Sequence, residues 1–386
     1  MKLRNPARGY SSTADQWILA QRPARNPVDP GRPFAFFIEE ERAESGATAS
    51  IATIFLTNRE CPWRCLMCDL WKNTLTDSVP LGAIPAQIDF ALLRLLGPHS
   101  GASHPAPLVE KQEATRLRTL TPLVSAQRAG PLESGDARES IPKPTQIKLY
   151  NSGSFFDRRA IPPADYPAIA QRVRRFERVI VECHPALIGD PCLRFRDLLP
   201  GKLEVAMGLE TAHPEVLARL NKRMTLKQFA RAAEFTRRNR IALRVFILVK
   251  PPFLDEAEAL CWAKRSLDFA FDCGATVATL IPTRAGNGAL EALAAQGQFS
   301  LPKLGTLEAA AAYGVSLGRG RVFADLWDLE KFSTCVRCFP ARLARLREMN
   351  LRRSVPPLIS CPQCGTAESR ADVSPAQHAG EAPFPG

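Results

Sequence analysis

The sequence lacks any stretch of about 18 uncharged apolar residues, so none of its 386 residues is predicted to span a membrane. Residues 1–33 contain arginine and proline but no apolar segment of the kind that a secretory signal peptide needs. No Gly-x-Gly-x-x-Gly follows an apolar strand, which argues against a Rossmann-type dinucleotide site. These absences predict a cytoplasmic protein with no membrane segment.

Lysine is scarce, since only 12 of the 51 basic residues are Lys. The net charge is nevertheless +12, and a surface of that sign favours anionic partners such as nucleic acid. A GC-rich genome would produce the same arginine excess without any such partner. The charge alone therefore leaves an RNA partner and an incidental basic surface equally open.

Aromatic residues are absent from residues 97–144, which are rich in proline and small polar residues. Such a composition buries too little apolar surface to offset the entropy of ordering, so we expect a disordered insertion. Residues 1–33 are predicted to be a flexible arm and residues 370–386 a disordered tail. The ordered parts are then a barrel over residues 34–318, interrupted by the insertion, and a metal-binding unit over residues 319–369.

Apolar, β-branched segments alternate with segments of helical spacing between these regions. We predict strands at residues 51–57, 146–151, 178–182, 203–209, 241–249 and 275–281, and helices at residues 84–96, 163–177, 226–239 and 255–272. Alternation of this kind is typical of a parallel α/β sheet. About six such units favour a partial (β/α)6 TIM-like barrel, in which loops at the carboxyl ends of the strands carry the chemistry.

Three cysteines, Cys61, Cys65 and Cys68, follow the first of these strands directly. Three thiolates on one short loop can hold three irons of a 4Fe–4S cluster and leave the fourth iron open to a small molecule. A zinc site would want four closed ligands. His184 or a distant cysteine could supply the fourth, so zinc remains an alternative at this point.

The spacing Cys61-x3-Cys65-x2-Cys68 resembles the signature of the radical S-adenosylmethionine (SAM) superfamily. Further matching segments end the later strands: Asn-Ser-Gly-Ser at 151–154, Glu-Cys-His-Pro at 182–185, Gly-Leu-Glu-Thr at 208–211 and Lys-Pro-Pro-Phe-Leu at 250–254. Together they are similar to the branch that contains the Elongator catalytic subunit, and most similar to the radical SAM subunit of archaeosine synthase. That subunit acts on a modified base in tRNA.

The resemblance implies a 4Fe–4S cluster on the three cysteines and a SAM molecule beside it. It also implies SAM contacts from the strand ends, and the candidate residues are Gly153, Ser154, Glu182, Glu210 and Lys250. Each has a plainer interpretation, such as a turn glycine or a carboxylate paired with an arginine. It further implies a reductant such as flavodoxin or ferredoxin, a tRNA substrate and a partner subunit. No catalytic residue is assigned.

Four more cysteines form two Cys-x2-Cys pairs near the C-terminus: Cys335, Cys338, Cys361 and Cys364. This spacing is typical of a zinc-ribbon-like unit, with a second iron–sulfur cluster as the alternative.

Two basic segments complete the candidates. Arg342, Arg345, Arg347, Arg352 and Arg353 lie between the cysteine pairs, where they form either a solvated helix face or a stripe that binds RNA phosphate. Most of the basic run at residues 219–244 is predicted to lie on the outer face of a barrel helix, where solvation is its expected role.

The sequence therefore predicts a radical SAM enzyme that cleaves SAM reductively and abstracts hydrogen from a substrate, with a modified tRNA base as the first hypothesis. The same chemistry on a small molecule or peptide is the second hypothesis. A non-enzymatic iron–sulfur and zinc-binding protein is the third.

Overall fold

The computed structural model describes residues 13–97 and 143–364. Nearly all of the predicted insertion, the whole predicted tail and residues 1–12 of the predicted arm lie outside the described residues. Their predicted disorder stays a prediction.

Eight strands form one sheet in which the spatial order follows the chain order. They are β1 (Ala35–Arg42), β2 (Thr48–Phe55), β3 (Gln146–Tyr150), β4 (Arg178–Glu182), β5 (Lys202–Glu210), β6 (Ala242–Val249), β7 (Val277–Pro282) and β8 (Arg321–Ala324). β1 and β2 pair in antiparallel fashion, and every later neighbour is parallel. Sequential parallel strands are the topology of a barrel rather than of a doubly wound sheet.

Ten α-helices lie in the described ranges, mostly between the strands. They are α1 (Thr13–Gln21), α2 (Ala83–Leu96), α3 (Tyr166–Val173), α4 (Asp190–Arg196), α5 (Pro214–Arg219), α6 (Leu226–Arg238), α7 (Glu256–Asp272), α8 (Ala289–Ala295), α9 (Leu304–Ser316) and α10 (Phe339–Leu351). The apolar faces of most of these helices join the outward side chains of the strands in one large core, whereas α1 and α8 pack in a second, smaller apolar cluster. Thr225 and Asp255 begin α6 and α7 with capping boxes, which satisfy the first backbone donors of each helix.

The predicted partial barrel with a four-cysteine group near the C-terminus is confirmed. All six predicted strands are present. Strands β1 and β8 were not predicted, and β8 lies beyond the predicted barrel boundary at residue 318. The predicted arm also differs from the structure, because residues 13–21 form α1.

A network of buried charges fills the barrel where the parallel strands begin. Glu204 is fully buried, and its carboxylate accepts hydrogen bonds from Arg178 at 3.0 Å and from Arg244 at 2.7 Å. Arg244 also donates two hydrogen bonds to Glu41, at 3.0 and 2.8 Å. Buried charges are tolerated where each has a partner, and here they link β4, β5, β6 and β1 across the interior.

The two edge strands approach each other although they do not pair. Arg321 on β8 donates a hydrogen bond to the carbonyl oxygen of Arg42 on β1 at 3.2 Å, and α10 contacts both strands. The amino-terminal end of the parallel strands is thus closed by charges and by a helix. Loops at the opposite end are the part of the barrel where a ligand could enter.

Within the described ranges, no helix has both the length and the apolar character needed to cross a bilayer.

Candidate active site

The loop of residues 58–69, which we call the cluster loop, begins three residues after β2 and carries the first three cysteines. All three thiols are half-buried and outside any disulfide. The backbone N–H of Cys68 donates to the carbonyl oxygen of Cys65 at 3.2 Å, which closes a turn between these two residues. The side chain of Arg64 caps the carbonyl oxygen of Cys61 at 2.7 Å. The loop is therefore folded with its sulfur atoms on one short stretch of chain.

Electrostatics within the cluster loop favour a bound cationic group. Burial, and then the charge of Cys65, raises the pKa of Cys61 to about 12. Burial also raises the pKa of Cys68, with Cys61 and Cys65 as the next causes. Three thiolates that oppose each other in this way need positive charge between them, which irons would supply.

The two cysteine groups differ in how close their sulfur atoms lie to one another. In the described part of the chain, the only group of three or more metal-ligating side chains within 4.8 Å of one another is formed by Cys335, Cys338, Cys361 and Cys364. The cluster-loop sulfur atoms are therefore spread more widely than ligands of a single ion. The three thiols of the cluster loop therefore do not form a closed site for one ion.

The segment after β3 packs directly against the cluster loop. A Cβ atom placed on Gly153 would lie 2.9 Å from the Cβ of Cys61, so only glycine allows this approach. The side chain of Asn151 is fully buried, and neither its amide oxygen nor its amide nitrogen has a hydrogen-bond partner among the described residues. Ser154 accepts a hydrogen bond from the backbone N–H of His184 at 2.9 Å. Unpaired buried amide atoms beside a glycine contact are typical of a site that a ligand completes.

Glu182 ends β4 and turns its carboxylate toward this segment. Its Oε2 accepts from the backbone N–H of Asn151 at 3.3 Å. Burial raises the pKa of Glu182 to about 7, although the N–H groups of Asn151, Gly153 and Ser152 oppose that rise. The structure thus brings Glu182, Gly153 and Cys61 together, as the sequence predicted.

Glu210 ends β5 in a left-handed conformation with φ of +66°, next to a register shift between residues 208 and 210. Its Oε1 accepts a hydrogen bond from Nζ of Lys222 at 2.5 Å, and both side chains are buried. A Cβ on Gly208 would come within 2.6 Å of Lys222 Nζ. The glycine of the Gly-Leu-Glu-Thr segment therefore makes room for a buried ion pair.

Lys222 is the main functional candidate that the sequence analysis missed. The basic run at residues 219–244 was predicted to face outward, and Arg237 and Arg238 do so, where they pair with Glu234. Lys222 instead points inward. Burial lowers its pKa, but Glu210 and then Cys65 raise it more, so the net shift is upward. The sequence held one indication that Lys222 differs from the rest of the basic run. It lies in the short connection between the end of α5 and Thr225, the residue that caps α6.

The backbone around Lys222 forms a strained turn, since Asn221 and Arg223 have φ values of +53° and +54°. This turn, residues 220–223, is hydrogen-bonded to the cluster loop. Asn221 Nδ2 donates to the carbonyl oxygen of Arg64 at 2.7 Å, and the N–H of Leu66 donates to the carbonyl oxygen of Leu220 at 2.9 Å. The turn therefore fixes both Lys222 and the middle of the cluster loop.

His184 has a structural role in this arrangement. Its ring stacks on Trp63 of the cluster loop with centroids 3.9 Å apart. Nδ1 accepts from the N–H of Ala186 at 3.1 Å, so Nε2 donates to the carbonyl oxygen of Lys222 at 3.0 Å. Burial, and then the charge of Lys222, lowers the pKa of His184 to about 3. A neutral ring in this position links β4, the turn and the cluster loop.

Lys250 is not brought together with the other predicted SAM contacts. It follows β6, and its Nζ contacts Ser300 Oγ at 2.7 Å and Glu256 at 2.9 Å. These partners belong to the start of α7 and the chain before α9 rather than to the cluster loop. The carboxylate of Glu256 already neutralises its charge.

The four C-terminal thiols have the spacing of a tetrahedral site. Cys335 and Cys361 have sulfur atoms 3.9 Å apart, and Cys338 and Cys364 have them 3.8 Å apart. Zinc–sulfur bonds of about 2.3 Å in a tetrahedron give sulfur–sulfur distances of about 3.8 Å. The donor set and the distances both fit one metal ion.

The interpretation of the arginine stripe as an RNA-binding surface is wrong for its first two residues. Arg342 and Arg345 are buried on α10. Arg342 Nε donates to Glu308 at 2.9 Å, and Arg345 donates to the carbonyl oxygen of Pro357 at 2.9 Å. These guanidinium groups hold α10 and the following chain to α9. Helical spacing alone did not distinguish this packed face from a solvated one.

No protein-family model matches the chain, but curated relatives do. Archaeosine synthase subunit beta of Methanosarcina acetivorans is 30% identical over 166 residues, which are 41% of this chain and 47% of that protein. Archaeosine synthase subunit beta of Thermococcus kodakarensis is 30% identical over 135 residues, 33% and 42% of the two chains. The resemblance to radical SAM proteins is confirmed.

The match is partial, because the chain spans about half the length of the curated relatives it matches. Among solved structures, the archaeal Methanocaldococcus infernus Elp3 with an N-terminal deletion has a TM-score of 0.40 and 12% identity. That likeness covers 54% of this chain and 56% of that one.

Replacing Lys222 with methionine should destabilise the chain by about 3–5 kcal/mol, because Glu210 would be left buried without its cation. Urea unfolding of the metal-free protein measures this loss. The matched control is Lys227→Met, an exposed lysine of the same basic run, which should cost less than about 0.5 kcal/mol. Adding Glu210→Gln to Lys222→Met should recover part of the loss. A loss of stability below about 1 kcal/mol for Lys222→Met would contradict the claim that Lys222 compensates the buried charge of Glu210.

Proposed function

We propose that the chain is a radical SAM enzyme whose cluster binds to Cys61, Cys65 and Cys68. The observation that carries the proposal is the contact between the cluster loop and the ends of β3, β4 and β5. Gly153 packs against Cys61 with no room for a side chain, and Glu182 accepts a hydrogen bond from the same segment at Asn151. The charges of the Glu210–Lys222 pair act on the pKa of Cys65. A three-thiol loop that faces polar strand ends suits a cluster with an open iron and a polar ligand bound to it.

When bound, the cluster supplies the electron that cleaves SAM to methionine and a 5′-deoxyadenosyl radical, which takes a hydrogen atom from the substrate. The residues of this chain bind and orient SAM and exclude water from it. Glu182 can accept hydrogen bonds from the SAM amino group or ribose hydroxyls. Gly153 gives SAM access to backbone groups, and Ser154 fixes that segment to β4 through His184.

Glu210 and Lys222 are proposed to bind the charged part of SAM together. SAM carries both an ammonium and a carboxylate group, and the pair offers one group of each sign. Lys250 is left out of this proposed site, because its partners Glu256 and Ser300 belong to the start of α7 and the chain before α9 rather than to the cluster loop.

The proposed substrate is a modified base in RNA. Two observations support it, namely the net charge of +12 and the similarity to proteins named archaeosine synthase subunit beta. That name also supports a partner subunit for this chain, and the chemistry needs a one-electron reductant such as flavodoxin or ferredoxin. The arginine stripe no longer contributes to this proposal, since Arg342 and Arg345 are buried on α10.

An anaerobic assay tests the proposed reaction. Reconstituted protein with SAM and dithionite should form 5′-deoxyadenosine, whereas Cys65→Ala should form none above background, because one iron ligand is gone. The amount of 5′-deoxyadenosine is measured by chromatography. A fully loaded cluster that gives no product, with or without candidate substrates, would favour the non-enzymatic alternative.

The same assay separates the substrate classes. Bulk tRNA should increase 5′-deoxyadenosine formation severalfold over RNA-free protein if the substrate is a tRNA base. No increase with tRNA, and an increase with a small-molecule or peptide extract, would support the second hypothesis.

For the C-terminal group we propose structural zinc, supported by the sulfur–sulfur distances of 3.8 and 3.9 Å. Purified protein should contain one zinc per chain, and Cys361→Ser should lose it while keeping its iron. The matched control is Cys261→Ser, which changes an exposed cysteine outside both groups. Metal analysis of the three proteins decides the matter. Loss of iron from Cys361→Ser, with no zinc in the parent protein, would indicate a second cluster instead.

A further inference from the structure

The N-terminal segment of residues 13–32, which we call the strap, crosses the outer side of the cluster loop. Ile18 on α1 is 4% exposed and packs in a small apolar cluster with Leu66 of the cluster loop and Leu220 of the strained turn. Asp15 accepts a hydrogen bond from Asn221 Nδ2 at 2.7 Å. The first part of the strap is therefore joined to both elements that position the thiols.

Glu60, the residue before Cys61, is the centre of the contact between the strap and the cluster loop. Its carboxylate forms ion pairs with Arg22 at 2.8 Å, with Arg25, and with Arg64 of the loop itself at 3.0 Å. The side chains of Glu60 and Arg22 are only 9% and 8% exposed. The Arg22–Glu60 pair is screened only weakly by salt, and removing one partner would leave the other charge buried without compensation.

The strap also holds the chain that leaves the cluster loop. Arg25 Nη1 donates to the carbonyl oxygen of Trp71 at 2.7 Å and to Thr74 Oγ1 at 2.8 Å. The guanidinium group of Arg22 lies 4.5 Å from the centroid of the Trp71 ring. The backbone N–H of Asn26 donates to the carbonyl oxygen of Lys72 at 2.9 Å. Both ends of the loop are thus fixed by the same two arginines and their neighbour.

All of these contacts join protein groups to one another, so none of them needs an atom of the cluster to form. A loop that must order itself on binding spends part of the binding free energy on its own conformational entropy. Metal sites that are preorganised avoid that loss and release their metal more slowly.

We propose that Arg22 and Arg25 are positioning residues, which hold the cluster loop through Glu60 in the shape that receives the 4Fe–4S cluster. The proposal rests on the proposed function for the identity of the bound group. The strap is then an element of the site, and not a passive extension before the barrel.

The test compares Arg22→Ala/Arg25→Ala with Arg32→Ala in the full chain. Arg32 is a matched control, because it lies on the same strap with its side chain 66% exposed. Two readouts are used, which are amide hydrogen exchange of residues 58–75 in metal-free protein and the rate of iron release to a chelator from reconstituted protein. The double variant should raise both rates at least tenfold, and Arg32→Ala should stay within twofold of the parent.

A second variant, Glu60→Gln, keeps the shape of the side chain and removes its charge, which guards against misfolding of the arginine variant. It should raise both rates on its own but add little in the Arg22→Ala/Arg25→Ala background, since the residues act as one unit. Additive effects, or rates within twofold of the parent in every variant, would overturn the proposal. If the parent binds no iron, the proposed function fails, and hydrogen exchange still decides whether the strap orders the loop.

Discussion

The buried ion pair between Lys222 and Glu210 is the constraint on which the site depends. Two charges removed from water require close partners, and a bulged strand end, a glycine at position 208 and a left-handed turn all serve to bring these two together. The turn that presents Lys222 also binds the cluster loop and the His184 ring. The loop that carries the thiols is therefore positioned by the same contacts that satisfy the buried charges.

Much of the fold could be predicted because the parallel strands are buried on both faces. Strands such as β4, with Val179, Ile180 and Val181 almost fully buried, read as continuous apolar runs. β1 could not be predicted in this way, because its inward positions carry Glu39 and Glu41 for the interior charge network. α1 was missed for a related reason, since its order comes from contacts of Ile18 with Leu66 and of Asp15 with Asn221, far away in the sequence.

The site was predictable where function rests on spacing and strand ends. The sequence could place the three cysteines, Gly153 and Glu182 close together, because short motifs set them at the carboxyl edge of the sheet; their roles stay predictions. Lys222 and Arg345 were misassigned because basic residues look alike in sequence, whether they are exposed or paired with a buried carboxylate. Only the tertiary partners, Glu210 and Glu308, separate an inward cation from a surface one.

The central claim is that the three-thiol loop holds a cluster whose open iron faces the strand ends. Electron paramagnetic resonance of the reduced, reconstituted protein, recorded with and without SAM, tests it most directly. SAM bound at the open iron should change the spectrum of the parent protein, and a Lys222→Met protein that retains its cluster should need more SAM for the same change. A fully formed cluster whose spectrum is unchanged at saturating SAM would contradict the account.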